Sequence, residues 1–191
     1  MNIIKAFLRS DNNIYFLDSR QKLSTKTLKK LLNNEFKDKC LHVMNKLLIK
    51  RIHDKYEIIS ALFDIKNELD NNANTVRLVI IDSLPTLFLT SADNTENNNI
   101  LNHLANILRY LANKHHVAII VNNLITIWAE GDISAINNIH ERIACGKYWK
   151  TVPNFRIKLK KLRQSIEICL VKSNVIQNQK HCSVEMNELS K

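Results

Sequence analysis

The chain predicts an α/β fold, a mostly parallel sheet flanked by helices with an antiparallel hairpin toward the C-terminal end. Three observations lead there. Val76-Arg77-Leu78-Val79-Ile80-Ile81-Asp82-Ser83 is an almost unbroken aliphatic run, the pattern of a strand buried on both faces rather than the alternation of a half-wet one. Comparable runs alternate with amphipathic segments, as crossover helices and parallel strands require. At 191 residues the chain can bury one sizeable core, so a single domain is the simplest organisation.

Each element follows from local pattern. Ile3, Ile4, Phe7 and Leu8 define one face of a short first helix. Asn13–Asp18 reads as a strand ending in a carboxylate. Ser24 or Thr25 can cap a helix running to about residue 34, with Leu28, Leu31 and Leu32 facing inward. Residues 47–52 form a second strand, and a helix over residues 55–71 buries Ile58, Ile59, Leu62, Ile65 and Leu69. An Asn-rich break at residues 71–74 precedes the Val76–Asp82 strand. Residues 93–99 read as another Asn-rich loop, ahead of a helix carrying Ile100, Leu104, Ile107, Leu108 and Leu111. Residues 117–121 are expected as the next buried strand.

Beyond Asn122 the pattern weakens. Residues 127–150 show little periodicity. Phe155, Ile157 and Leu159 then alternate with Arg156, Lys158 and Lys160, and Ile166, Ile168 and Leu170 alternate again. That is the signature of an antiparallel hairpin, expected at a sheet edge, with residues 184–186 able to add a last strand.

Composition bounds the function. No apolar run approaches bilayer length, and residues 1–8 are too short for a signal peptide, so the expectation is a soluble intracellular protein with no membrane partner. Cys40, Cys145, Cys169 and Cys182 lack the paired spacing of a disulfide framework or zinc site. His115-His116 and His181-Cys182 likewise have no partners at ligand spacing. The net charge of +10 favours polyanionic partners. Asp82 stands where nucleoside-triphosphatases hold a water on Mg²⁺. A phosphate-cradling Gly-x-x-x-x-Gly-Lys-Ser/Thr loop is missing from the sequence, whose only glycines are Gly131 and Gly146.

Three stretches then converge. They are residues 76–83 with the following helix and Ala118-Ile119-Ile120-Val121-Asn122-Asn123-Leu124-Ile125-Thr126; Gly146-Lys147-Tyr148-Trp149-Lys150-Thr151-Val152-Pro153-Asn154-Phe155-Arg156; and residues 167–174, ending Lys172-Ser173-Asn174. In order and spacing they resemble the RecA-like eukaryotic strand-exchange recombinases, closest to the D-type recombinase paralogue. The resemblance implies a RecA-like P-loop ATPase core, here lacking its P-loop segment and helical N-terminal domain. Residues 1–191 are accordingly expected to be a partial core domain, starting just downstream of the phosphate loop. It also implies ATP and Mg²⁺ as cofactors, with Asp82 as metal and cofactor residue and Ser83 and Asn123 beside it.

Two positions depart from the family. Its water-activating Glu falls on Arg20, which cannot serve as a base at neutral pH. Its γ-phosphate reader falls on Leu124, which neither donates nor accepts a hydrogen bond. Hydrolysis by this chain alone is therefore not expected. Loss of a central strand would leave backbone groups unpaired at about 1–3 kcal/mol each, so the isolated chain is expected to be marginally stable.

From Arg142 to Lys172 the cations are Arg142, Lys147, Lys150, Arg156, Lys158, Lys160, Lys161, Arg163 and Lys172, against Glu167 as the one acid. With Trp128, Tyr148 and Trp149 flanking or interleaving them, the pattern suits single-stranded DNA, cations gripping phosphates and rings stacking on bases. The candidate DNA residues are Trp128, Arg142, Lys147, Trp149, Lys150 and Arg156. The resemblance implies a nuclear role in homologous-recombination repair, assisting the main recombinase beside partner paralogues, with a C-type neighbour docked on the core. Two alternatives stand: a DNA-dependent ATPase whose P-loop lies in upstream sequence, and a purely protein-interaction module.

Overall fold

The structure is a computed structural model and describes residues 2–10, 12–36, 40–71, 76–88, 93–129, 139–176 and 180–185. The chain divides into two units, Met1–Gly146 and Lys147–Lys191. In the first, α1 (Asn2–Arg9), β1 (Asn13–Asp18), α2 (Thr25–Phe36), α3 (Cys40–Asn45), β2 (Leu47–Arg51), α4 (Lys55–Asn71) and β3 (Val76–Asp82) follow one another. A single 3-10 turn, Leu84–Leu87, leads to α5 (Asn94–His115), β4 (Ala118–Val121), β5 (Ile125–Ala129) and β6 (Ile139–Ile143). The second unit holds most of α6 (Gly146–Thr151), then β7 (Phe155–Lys161), β8 (Ser165–Ser173) and β9 (His181–Glu185).

The first unit is built on a four-stranded parallel sheet in the order β2-β1-β3-β4. Alternation along the strands sends Ile14, Phe16, Leu78 and Ile80 to one face, where they form a core with Ile4, Leu8, Leu28, Leu32, Cys40, Val43 and Leu47. α1, α2 and α3 therefore cover that side. The opposite residues face α4 and α5: the Tyr15 hydroxyl reaches Glu68 on α4, and Leu17, Val79, Ile81, Ile58, Leu62, Leu104 and Leu111 are fully enclosed. Burial and that carboxylate both raise the Tyr15 pKa. β3 is thus enclosed on both faces, as its composition requires.

Several expectations change. Residues 94–99 are the opening turns of α5, not a loop. Asp93 caps the helix by accepting from the Thr95 and Glu96 amides at 2.9 and 3.0 Å, which overrides the weak helix preference of the asparagines. The buried Lys55 clamps the same turn through Glu96 and Asn97, and both Lys55 and Tyr56 hold the Glu96 carboxyl below its usual pKa. Ile3 is exposed, whereas Ile4 and Leu8 are buried and Phe7 packs against the same core, so Ile3 lies outside the buried stripe of α1. β4 is only half buried, because its one described ladder is with β3. The hairpin β7–β8 forms as expected but belongs to a separate three-stranded antiparallel sheet, β7-β8-β9, not to an edge of the parallel one.

Candidate functional site at the carboxyl edge of the parallel sheet

β1 and β3 both end on aspartate, and the two are register partners, Asp18 beside Asp82. In an open parallel sheet the crevice beyond the carboxyl ends of the strands is where ligands bind. Here the strand ends are stitched together. The Ser19 and Arg20 amides donate to the Asp82 carbonyl at 2.9 and 3.3 Å, and the Leu84 amide donates to the Asn122 carbonyl at 3.0 Å. The Ser19 hydroxyl donates to the Ser83 carbonyl at 2.6 Å and accepts from the Ser83 amide at 2.8 Å.

The two carboxylates do different work. Asp18 is 1 % exposed, and its oxygens accept from the Arg20 and Leu23 amides, each at 3.1 Å. It is an internal anchor for the loop after β1. Asp82 is partly open. Its Oδ1 accepts from Asn122 Nδ2 at 3.0 Å and lies 3.9 Å from the Arg20 guanidinium.

The expected site residues redistribute accordingly. Ser83 is buried, and its hydroxyl makes no hydrogen bond to the described residues. The amide beside Asp82 is that of Asn122, not Asn123. Asn123 turns away to donate to the Ala144 carbonyl at 3.1 Å and to accept from the Leu124 amide at 2.8 Å. Asn122 continues the strand that holds β3, its amide donating to the Ile81 carbonyl at 2.8 Å, and this fixes its side chain at the tip of Asp82. Two adjacent asparagines carry the same chemistry in sequence, so only the strand register separates them.

Mg²⁺ is held by one or two carboxylates together with waters and phosphate oxygens, and a guanidinium beside the carboxylate competes with it for the same negative charge. Asp82 is the one open carboxylate at the strand ends, it is shared with a guanidinium, and the neighbouring Ser83 hydroxyl is enclosed. Among the described residues no group of three or more His, Cys, Asp or Glu could hold a metal ion. These residues do not fit Mg²⁺, and no chemical step is assigned through Mg²⁺ or ATP.

Elsewhere in the first unit, β5 and β6 form an antiparallel hairpin that weak periodicity had hidden. Trp128 lies opposite His140 and Arg142 opposite Thr126. Arg142 is exposed and lines a cleft of about 370 Å³ with Asn94, Asn97, Asn98 and Thr126; Asp82 is not part of it. In the second unit, Lys147 and Lys150 project from α6 into solvent. Cys145 and Gly146 take consecutive left-handed conformations, φ 64° and 77°, to start that helix, the second natural for glycine alone.

Two members of the basic segment, Trp149 and Lys172, are structural instead. Trp149 is 3 % exposed, so its ring is not available for stacking on a base. Arg156 is half-buried, with Nε and Nη1 enclosed and without a hydrogen-bond partner among the described residues. Lys172 donates to the Thr151 and Pro153 carbonyls, both at 2.7 Å, and staples the end of α6 to β8. No helix among the described residues is long and apolar enough to cross a membrane.

Comparison with protein families agrees with this architecture. The Rad51 family model matches residues 8–189, nearly the whole chain. A search of curated proteins found no match.

Proposed function

Since the chain belongs to the Rad51 family of RecA-like recombinases, which act in DNA recombination and repair, we propose that it is an accessory paralogue of the D type. It binds single-stranded DNA and partner paralogues, a C-type neighbour among them, and assists the main recombinase in the nucleus. The family is generally dependent on ATP and Mg²⁺. On this reading hydrolysis by the chain alone is not expected, because Arg20 stands where the family has its water-activating Glu.

The observation that supports this reading best is Arg20, 3.9 Å from Asp82. A guanidinium cannot take a proton from water at neutral pH. Placed against the one open carboxylate of the site, it supplies internally the positive charge that a metal would bring. DNA contact is assigned to the exposed cations Arg142, Lys147 and Lys150. Each phosphate contact contributes about −0.7 to the slope of log affinity against log salt for a single strand.

The test is fluorescence anisotropy of a labelled oligothymidylate with the full chain across a salt series. The double variant Lys147→Ala with Lys150→Ala is expected to bind more weakly and to flatten the slope by about 1.4. Unchanged affinity and slope would remove this surface.

A second reading, a protein-interaction module, is favoured by the apolar face of β7. Phe155, Ile157 and Leu159 are 50 %, 58 % and 64 % exposed, whereas contiguous apolar surface of that kind commonly marks a protein contact. Under that reading Ile157→Lys abolishes co-purification with a partner paralogue, and the wild-type chain has no measurable affinity for the oligonucleotide.

A further inference from the structure

One face of the β7-β8-β9 sheet gathers reactive side chains that the recombinase reading leaves unused. Cys169 on β8 is register partner to Lys158 on β7 and to His181 on β9. One row along, Glu167 faces Lys160. Because residues two apart on a strand share a face, Cys169 and Glu167 point the same way, and His181 is diagonal to Glu167 across the β8–β9 ladder.

The side chains meet in sequence. Cys169 Sγ is 3.6 Å from His181 Nε2, and His181 Nδ1 is 3.7 Å from Glu167 Oε1. Lys158, Lys160, Glu167, Cys169 and His181 line a small cavity of about 120 Å³. Cys169 is partly exposed, so a small solute can reach the sulfur. A nucleophile within reach of a base, with that base oriented by a third group, is the arrangement that activates a thiol.

We propose that Cys169 is a peroxide-reactive thiol, with His181 as the base that takes its proton and Glu167 as the group that positions the imidazole. The step balances with hydrogen peroxide as co-reactant. The thiol proton passes to His181 Nε2, and the sulfur attacks one peroxide oxygen. The O–O bond breaks with its electron pair on the departing oxygen, which takes the proton back from the imidazolium and leaves as water. Cysteine is oxidised to the sulfenic acid and the peroxide is reduced. Lys158 and Lys160 stand beside the negative charge that develops on the leaving oxygen.

The other thiols are internal controls in the same chain. Cys182 is exposed on the neighbouring strand and pairs with Ile168, on the other face of the sheet. Cys40 is buried. The full-length chain is treated with a limiting amount of iodoacetamide, and separately with hydrogen peroxide followed by dimedone, and each cysteine is quantified by peptide mass spectrometry. Cys169 is expected to react at least about tenfold faster than Cys182 in both, a modest share of what general bases contribute. His181→Gln is expected to bring the Cys169 rate down to that of Cys182 while Cys40 stays protected. If His181→Gln exposes Cys40, the ratio is read on Glu167→Gln, which is expected to lower it. Equal rates at Cys169 and Cys182 in the wild type, or a ratio unmoved by the variant in which Cys40 remains protected, would overturn the proposal.

Discussion

Replacing Trp149 separates a core role from a DNA-stacking role, because the two predict opposite patterns of loss. The ring is 3 % exposed. Truncating a buried Trp to Ala removes its transfer free energy and leaves a cavity, together costing about 3–5 kcal/mol. A domain of ordinary stability holds only about 5–15 kcal/mol in total. With a urea dependence of about 1–3 kcal/mol per molar, Trp149→Ala is expected to lower the unfolding midpoint by roughly 1–5 M. Trp149→Phe keeps an aromatic ring and is expected to lose distinctly less. Stacking of a base on an exposed ring would instead be worth about 1–3 kcal/mol of binding and almost nothing in folding. The assay is urea unfolding followed by far-ultraviolet circular dichroism, paired with oligonucleotide anisotropy on the folded fraction. An unchanged midpoint with about a tenfold loss of affinity would refute the core assignment.

Asp70 accepts from Lys114 and Lys66, each at 2.8 Å, and from Tyr110 and His115, each at 2.9 Å. Hydrogen bonds from Lys114 first, then Lys66, hold its pKa well below the usual carboxylate range, and the same contact pushes Lys114 up to about 12. A carboxylate with a depressed folded pKa stabilises above its unfolded pKa and loses that contribution as pH falls. The midpoint gap between wild type and Asp70→Asn should therefore be widest near neutrality and shrink between about pH 4 and pH 2. A gap constant with pH would contradict it. Lys172→Met removes two charge-assisted hydrogen bonds to the Thr151 and Pro153 carbonyls, and a loss of about 1–3 kcal/mol in urea unfolding is expected. Leu62→Ala, at a fully enclosed position between α4 and the sheet, is expected to cost about 2–5 kcal/mol in the same assay.

The parts of the fold that were legible in sequence are those where one-dimensional pattern and burial coincide. β3 is enclosed on both faces, so its apolar run could be read directly, and α4 shows its helical stripe in Ile58, Leu62, Ile65 and Leu69. α3 spans six residues, too few to display a period. The Asn-rich start of α5 looks like a loop until Asp93 caps it and the fold brings Lys55 to its first turn. Trp149 sits between lysines on a six-residue helix, and nothing in that spelling separates a core ring from a surface one.

The site was legible in its departures more than in its contacts. Arg20 stood out as the wrong residue for a base, but its pairing with Asp82 depends on the alignment of β1 and β3. Cys169 and His181 are twelve residues apart. They become neighbours only through the β8–β9 ladder, which is why the sequence gives no ligand spacing between them.

At the carboxyl edge of this RecA-like core, Asp82 is engaged within the chain by Arg20 and Asn122. Titrating Mn²⁺ into the full chain, with free ion followed by electron paramagnetic resonance, tests it most directly. The predicted result is a free-ion signal that rises in step with added metal and is the same for wild type and Asp82→Asn. Saturable loss of that signal in the wild type, abolished by Asp82→Asn, would contradict the account.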